Sequence, residues 1–269
     1  MVSPRQITFL SDFGRSDVFV GLCHAVMATI APGVPVADLT HDIAPHDVRA
    51  GAVALADCVP YVPDAVHLAV VDPGVGTRRA GVVLVAGTAL LVGPDNGLLL
   101  PAAQRLGGVT AAYRLSAQRF QAPRVSRTFH GRDIFAPAAA HLARGTAPDE
   151  FGEALDTAGL VAPALPEADV GAGAIATPVR AIDRFGNAQL AVTASDLAGA
   201  GLSGGQRLQL LTDEGSFPIR HVATFGDLDH GELGLMEDAF GWLAVVLDRD
   251  RAARRLRLRA FDIVRLVAR

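Results

Sequence analysis

The sequence contains no lysine, so all 24 of its basic residues are arginine. That absence excludes a phosphate loop of the Walker type, a pyridoxal Schiff base and a lysine general base, because each needs a primary amine. Cysteine is nearly absent too. Cys23 and Cys58 are the two present, and they form neither a disulfide framework nor a metal-ligand spacing. Both read as buried thiols of a reducing compartment. No apolar run approaches the ~18 residues of a membrane span, and the start of the chain shows no basic-then-apolar leader. The expectation is a soluble cytoplasmic protein. Charge is sparse at 19%, with a net of −4, and this excludes the basic footprint of a nucleic-acid binder. The locally basic stretch Arg249 to Arg259 is diluted by Asp248, Asp250 and Asp262 and reads as a solvated strand face rather than a binding patch.

What the chain does have is apolar residues, at 50% of 269 positions. This is ample for one large or two modest hydrophobic cores, and it rules out disorder as the main state. In the first half, strand-like and helix-like segments alternate. Ile7 to Leu10, Val34 to Leu39, Val66 to Val71, Gly81 to Val85 and Ala89 to Val92 are short apolar runs. Helical spacing predicts helices over Val18 to Ile30, Val48 to Cys58 and Ile134 to Leu142. That alternation implies a layered α/β domain with a mainly parallel sheet, over residues 1–161. From Val161 the composition turns to Ala, Pro, Gly and acidic residues, and residues 162–174 read as a linker. Beyond it, over 175–269, short β-like runs (Pro178 to Ile182, Ala188 to Val192, Arg207 to Leu211, Ile219 to Ala223, Trp242 to Leu247, Arg255 to Arg259) predict a smaller all-β barrel. Turns such as Gly204-Gly205 and Asp213-Glu214-Gly215 separate them.

Four clusters in the first half combine polar side chains with turn formers. They are Ser11-Asp12-Phe13-Gly14, Val71-Asp72-Pro73-Gly74-Val75-Gly76 with Arg79 seven residues past Asp72, Gly93-Pro94-Asp95-Asn96-Gly97, and Thr128-Phe129-His130-Gly131-Arg132-Asp133. In open α/β sheets such strand-end turns are where ligands bind. Each also has a purely structural reading. Asp12 is suited to capping the next helix, Pro94 to Gly97 to a hairpin turn, and His130 with Asp133 to a helix-start network. His41-Asp42, His46-Asp47 and His67 lie near these clusters but show no metal-ligand spacing, so no metal is expected. A Gly-x-Ser-x-Gly nucleophile elbow is absent, which argues against acyl transfer.

Together with Asp183-Arg184-Phe185-Gly186-Asn187, these ordered motifs resemble the S-adenosylmethionine hydroxide adenosyltransferase family, hydrolases related to the fluorinase and chlorinase. The resemblance runs from about residue 7 to 260. It implies an α/β domain followed by a β-barrel, and a trimer whose ligand lies between the first domain of one subunit and the second of its neighbour. It also implies hydrolysis of S-adenosyl-L-methionine to adenosine and methionine, with no cofactor. On this resemblance Asp72, Arg79 and His130 line up and activate the attacking water, and the residues alone leave open which of them takes the proton. Asp12 corresponds to the ligand of the ribose diol, Asp183 to the partner of the methionine ammonium, and Phe185 and Asn187 to adenine contacts. Gly131 stands where the fluorinase has a fluoride-holding serine and the chlorinase a glycine. The barrel motif that commonly carries a serine for the methionine carboxylate reads Asp238-Ala239-Phe240-Gly241 here. Two alternatives remain: a chlorinase-like halide-using synthase, which the carboxylate of Asp72 would oppose by repelling an anion, and a non-catalytic adenosyl-ligand sensor.

Overall fold

A computed structural model describes residues 6–202 and 207–269. The expected Gly204-Gly205 turn lies outside the described residues. The chain divides into two compact units, Met1–Ala164 and Leu165–Arg269.

The first unit is built from β1 (Ile7–Ser11), α1 (Phe19–Ile30), β2 (Val36–Thr40), α2 (Val48–Cys58), β3 (Val66–Val70), β4 (Gly81–Ala86), β5 (Ala89–Pro94), α3 (Leu100–Arg105), β6 (Ala111–Arg114) and α4 (Ala136–Ala143). Its sheet has the order β2-β1-β3-β5-β4-β6. Strands β2, β1, β3 and β5 pair in parallel, whereas β4 runs antiparallel to both its neighbours. The reversal at β4 follows from chain length. Only Gly87 and Thr88 join it to β5, and two residues can close a hairpin but cannot make a crossover.

Strand alternation assigns side chains to two cores. Ile7, Phe9, Val66, Leu68, Val70 and Val92 pack on one face with Cys23 and Met27 of α1 and Ala139 and Leu142 of α4. Leu10, Ala69, Val71 and Leu91 face the other way, onto Ala52 and Leu55 of α2 and Ala102 and Ala103 of α3. Burial on both faces is why β1 and β3 read as continuous apolar runs. Each fully buried large side chain contributes about 1.5–3 kcal/mol. Burial also pushes the Cys23 thiol up to about 12, with Arg132 and Asp133 acting in opposite senses, so it stays a thiol.

The second unit contains β7 (Asp169–Gly171), β8 (Ala174–Ile182), β9 (Ala188–Leu190), α5 (Ala194–Gly199), β10 (Arg207–Thr212), β11 (Gly215–His221), β12 (Leu233–Glu237), β13 (Leu243–Leu247), α6 (Ala252–Arg255) and β14 (Ile263–Ala268). The order β14-β10-β11-β12-β13-β9-β8 closes on itself through β8–β14, giving a seven-stranded barrel with β7 added beside β8. Ile175, Val179, Leu190, Leu208, Leu235, Val245 and Leu266 fill it.

Two local expectations change. The stretch Arg255 to Arg259 is not a strand: α6 ends at Arg255, and Arg257 adopts a left-handed φ of 52°. Leu256 and Leu258 are buried while Arg257 is exposed, so the alternation that suggests a strand belongs to a turn. Strand β7 falls inside the stretch expected to be a linker, because Asp169–Gly171 finds backbone partners on β8.

Candidate active site

Asp72 follows the last residue of β3 by two positions, and Asp12 follows β1 directly, so both carboxylates stand at the carboxyl ends of adjacent parallel strands. Asp72 is held by Arg79. The guanidinium Nε donates to Asp72 Oδ1 at 2.8 Å and Oδ2 at 3.0 Å, and Nη2 makes a shorter contact with Oδ2. The same Nη2 lies 2.8 Å from His130 Nδ1. Arginine has only donors, so His130 Nδ1 accepts and the neutral ring carries its proton on Nε2. Burial lowers the His130 pKa and the Arg79 charge lowers it further, against the pull of Asp72, Asp133 and the Ser126 carbonyl. His130 is therefore neutral at neutral pH. The Asp72 side chain is 5% exposed and that of Arg79 12%, so the pair interacts in a water-poor setting where charge–charge forces are strong.

Two glycines let the segments meet. Gly76 has a φ of 76°, and a Cβ there would stand 2.3 Å from the Arg127 carbonyl oxygen, so the loop from Asp72 to Arg79 packs backbone to backbone on the loop that carries His130. A Cβ on Gly131 would stand 2.8 Å from the Phe13 ring. Glycine there lets the His130 turn sit against the turn after β1. The His130 turn opens into a π-helical turn, Gly131–Phe135, before α4. Asp133 is 1% exposed, accepts from the Ser126 N–H at 2.8 Å and pairs with Arg132. Burial raises its pKa, but those bonds outweigh it and keep Asp133 ionised.

Asp12 does not cap α1. Its Oδ2 accepts from the His46 N–H at 2.9 Å, and the N-cap position Val18 has no side-chain bond. Asn96 is a residue whose role sequence spacing did not assign. Its Nδ2 donates to the Val71 carbonyl at 2.8 Å and its Oδ1 accepts from Leu98 N–H, fixing the peptide just before Asp72. The signal was the third strand-end cluster, which taken alone looks like a hairpin turn.

In the second unit, Asp183, Phe185 and Asn187 share one tight loop between β8 and β9. Asp183 Oδ1 accepts from the N–H groups of Phe185 at 2.9 Å and Asn187 at 2.8 Å, and Oδ2 accepts from Asn187 Nδ2 at 2.7 Å. Phe185 is 76% exposed. In the nearby β12–β13 turn, Asp238 Oδ1 accepts from Phe240 N–H and Trp242 N–H, and Oδ2 bonds Gln189. Its carboxylate is thus engaged by the turn itself.

The fold and this cluster define a class: proteins with a mainly parallel α/β unit bearing a strand-end carboxylate–guanidinium–imidazole set, followed by a closed β-barrel. Residues 7–152 match the model of the SAM hydroxide adenosyltransferase N-terminal domain, and residues 177–265 match that of the C-terminal domain. The chain belongs to this family. It is 46% identical over 268 residues to a protein of Salinispora tropica named (R)-S-adenosyl-L-methionine hydrolase, covering all of both chains. A protein of the same name from Thermus thermophilus is 39% identical, covering 98% of this chain and 100% of the relative. A fluorinase of an Actinoplanes species is 30% identical, covering 85% of each. Among solved structures, an uncharacterized conserved protein from Thermotoga maritima superposes with a TM-score of 0.93 at 29% identity, over 97% of this chain and all of that one.

Proposed function

We propose that this chain hydrolyses S-adenosyl-L-methionine to adenosine and L-methionine. The observation that carries the reading is the Asp72–Arg79–His130 set in the first unit, in a chain whose relatives bear the hydrolase name. Water attacks the ribose 5′ carbon, a C–O bond forms as the C–S bond breaks, and the bonding pair neutralises the sulfonium. The leaving group departs as a neutral thioether, so no general acid and no cofactor are needed. One proton is released, and Asp72 is the acceptor. His130 Nδ1 is occupied by an Arg79 N–H, and Arg79 stays charged at any working pH. Arg79 and His130 therefore position the carboxylate and the water, while Asp72 takes the proton.

Asp12 binds the ribose hydroxyls, and Gly131 leaves room beside the reacting carbon. Asp183 faces the methionine ammonium, Phe185 stacks on adenine, and Asn187 bonds its edge. In this reading the protein is a cytoplasmic homotrimer in which a neighbouring chain supplies the last three. Because "L" in the relatives' name already fixes the α-carbon, "(R)" denotes the sulfonium centre, and the same epimer is the substrate here.

Incubation in ¹⁸O-labelled water with each sulfonium epimer should give adenosine labelled at the 5′ oxygen, faster from the R epimer. Absence of adenosine would overturn the reading. In added chloride, a dominant 5′-chloro-5′-deoxyadenosine product would favour the halide reading, which the Asp72 carboxylate beside the nucleophile opposes.

A further inference from the structure

Away from Asp72, the first unit brings together His24 of α1, Asp38 of edge strand β2 and His41 just beyond β2. One ligand atom from each lies within 4.8 Å of the others. His24 Nε2 is 2.8 Å from Asp38 Oδ1, and His41 Nε2 is 3.1 Å from the same oxygen. The His24 and Asp38 side chains are about one-third exposed, at 34% and 31%, whereas that of His41 is 1% exposed.

His41 is the informative member. Its Nδ1 is fixed by Ser11 Oγ at 2.8 Å, and its ring packs edge-on against Phe9 with centroids 4.6 Å apart. Its Nε2 is buried and has no hydrogen-bond partner, because the approach to Asp38 is out of hydrogen-bond alignment. A buried ring nitrogen aimed at a carboxylate without a hydrogen bond is costly in either tautomer. With the proton on Nδ1, a lone pair faces an anion, and with the proton on Nε2, an N–H is left poorly satisfied. A cation bound between the three groups removes both problems.

We propose that His24 Nε2, His41 Nε2 and an Asp38 carboxylate oxygen form a site for a divalent transition-metal ion of the zinc type. Two imidazoles and one carboxylate suit zinc and its neighbours rather than magnesium or calcium, which prefer oxygen ligands. Tetrahedral coordination at ordinary Zn–N and Zn–O lengths separates ligand atoms by about 3.4 Å, so each imidazole needs to draw back by about half an ångström from its present 2.8 or 3.1 Å to Asp38 Oδ1. The Ser11 hydroxyl on His41 Nδ1 supplies the outer-shell bond that orients a ligating imidazole. The other titratable or charged groups near His41 are His24, Asp38 and the Arg15 guanidinium. The ion clips edge strand β2 to α1 and braces the strand end from which Asp12 projects. This site is separate from the proposed catalytic set and holds whether or not that reading does.

Protein stripped with EDTA and then titrated with Zn²⁺ near neutral pH should bind one ion per chain and melt at a higher temperature. Co²⁺ in its place should give visible ligand-field bands that Zn²⁺ displaces. His24→Ala and Asp38→Asn alter partly exposed side chains. Each should weaken Zn²⁺ affinity by about tenfold or more and abolish the melting shift, with the circular-dichroism spectrum unchanged. His230→Ala, in an exposed loop of the other unit, should leave both readouts as they are. No binding by the wild-type chain, or binding that survives both His24→Ala and Asp38→Asn, overturns the proposal.

Discussion

The two regions that carry the candidate ligand contacts are organised in opposite ways. In the first unit, the Asp72–Arg79 loop and the distant His130 turn converge, and the three side chains satisfy one another in a water-poor setting. In the second, Asp183, Phe185 and Asn187 lie within five consecutive residues. The carboxylate there bonds its own loop, and a phenyl ring is left in solvent. Groups that must act on a reacting atom need a fixed position and a low local dielectric, which only converging segments provide. Groups that recognise a flat aromatic base need a rigid loop and an uncovered ring, which a short local motif provides.

Four substitutions test that contrast, from the largest expected effect to the smallest. Asp72→Asn removes the proposed proton acceptor while keeping its shape, and kcat should fall by about 10²–10⁴-fold with little change in KM. Steady-state measurement of adenosine release checks this, and a KM effect alone would move Asp72 into the binding region. A second break concerns stability in the first unit. Burial lowers the pKa of His67 to about 4 from an ordinary 6.5, against a smaller pull from the Val62 carbonyl. A depressed histidine binds its proton more readily when unfolded, so stability should fall as pH drops from about 6.5 to about 4. At about 1.4 kcal/mol per pH unit the loss is about 3 kcal/mol. Urea unfolding at several pH values should show that slope, and His67→Leu should flatten it.

Gly76→Ala forces a side chain into a left-handed backbone position against the Arg127 carbonyl. A cost of about 1–3 kcal/mol is expected, seen as a lower melting temperature together with a reduced kcat. An unchanged melting temperature would mean the two loops separate freely. Phe185→Ala should be the mildest. Loss of the proposed base-stacking surface should raise KM about tenfold and leave kcat and melting temperature nearly untouched, because the ring is 76% exposed in the chain alone. A drop in melting temperature instead would mark Phe185 as a structural residue.

Legibility in the sequence followed the range of the interactions. Helix α2 occupies Val48–Cys58 as its spacing predicts, and the apolar runs of β3 and β5 are strands, since local periodicity and stop signals decide such segments. Strands β6 and β14 carried too little local pattern to be anticipated, because each is defined by a partner distant in sequence. The run Arg255 to Arg259 shows the converse: alternation there records burial, and the backbone that produces it is a turn. The candidate site divides in the same way. The strand-end motifs pointed to Asp12, Asp72 and His130, but the clamp of Asn96 on the Val71 carbonyl appears only once β3 and β5 are paired.

The sequence by itself determined the alternation of elements, the strand-end clusters and the absence of any lysine chemistry, because these are properties of residue type and spacing. The tertiary structure alone decided two further things. One is the tautomer of His130, set by an arginine 51 residues away in the chain. The other is the meeting of His24, Asp38 and His41. No ligand spacing connects those three along the chain. They converge because α1 packs over β1 while β2 pairs beside it, and packing, unlike periodicity, is written in residues that become neighbours only when the chain is folded.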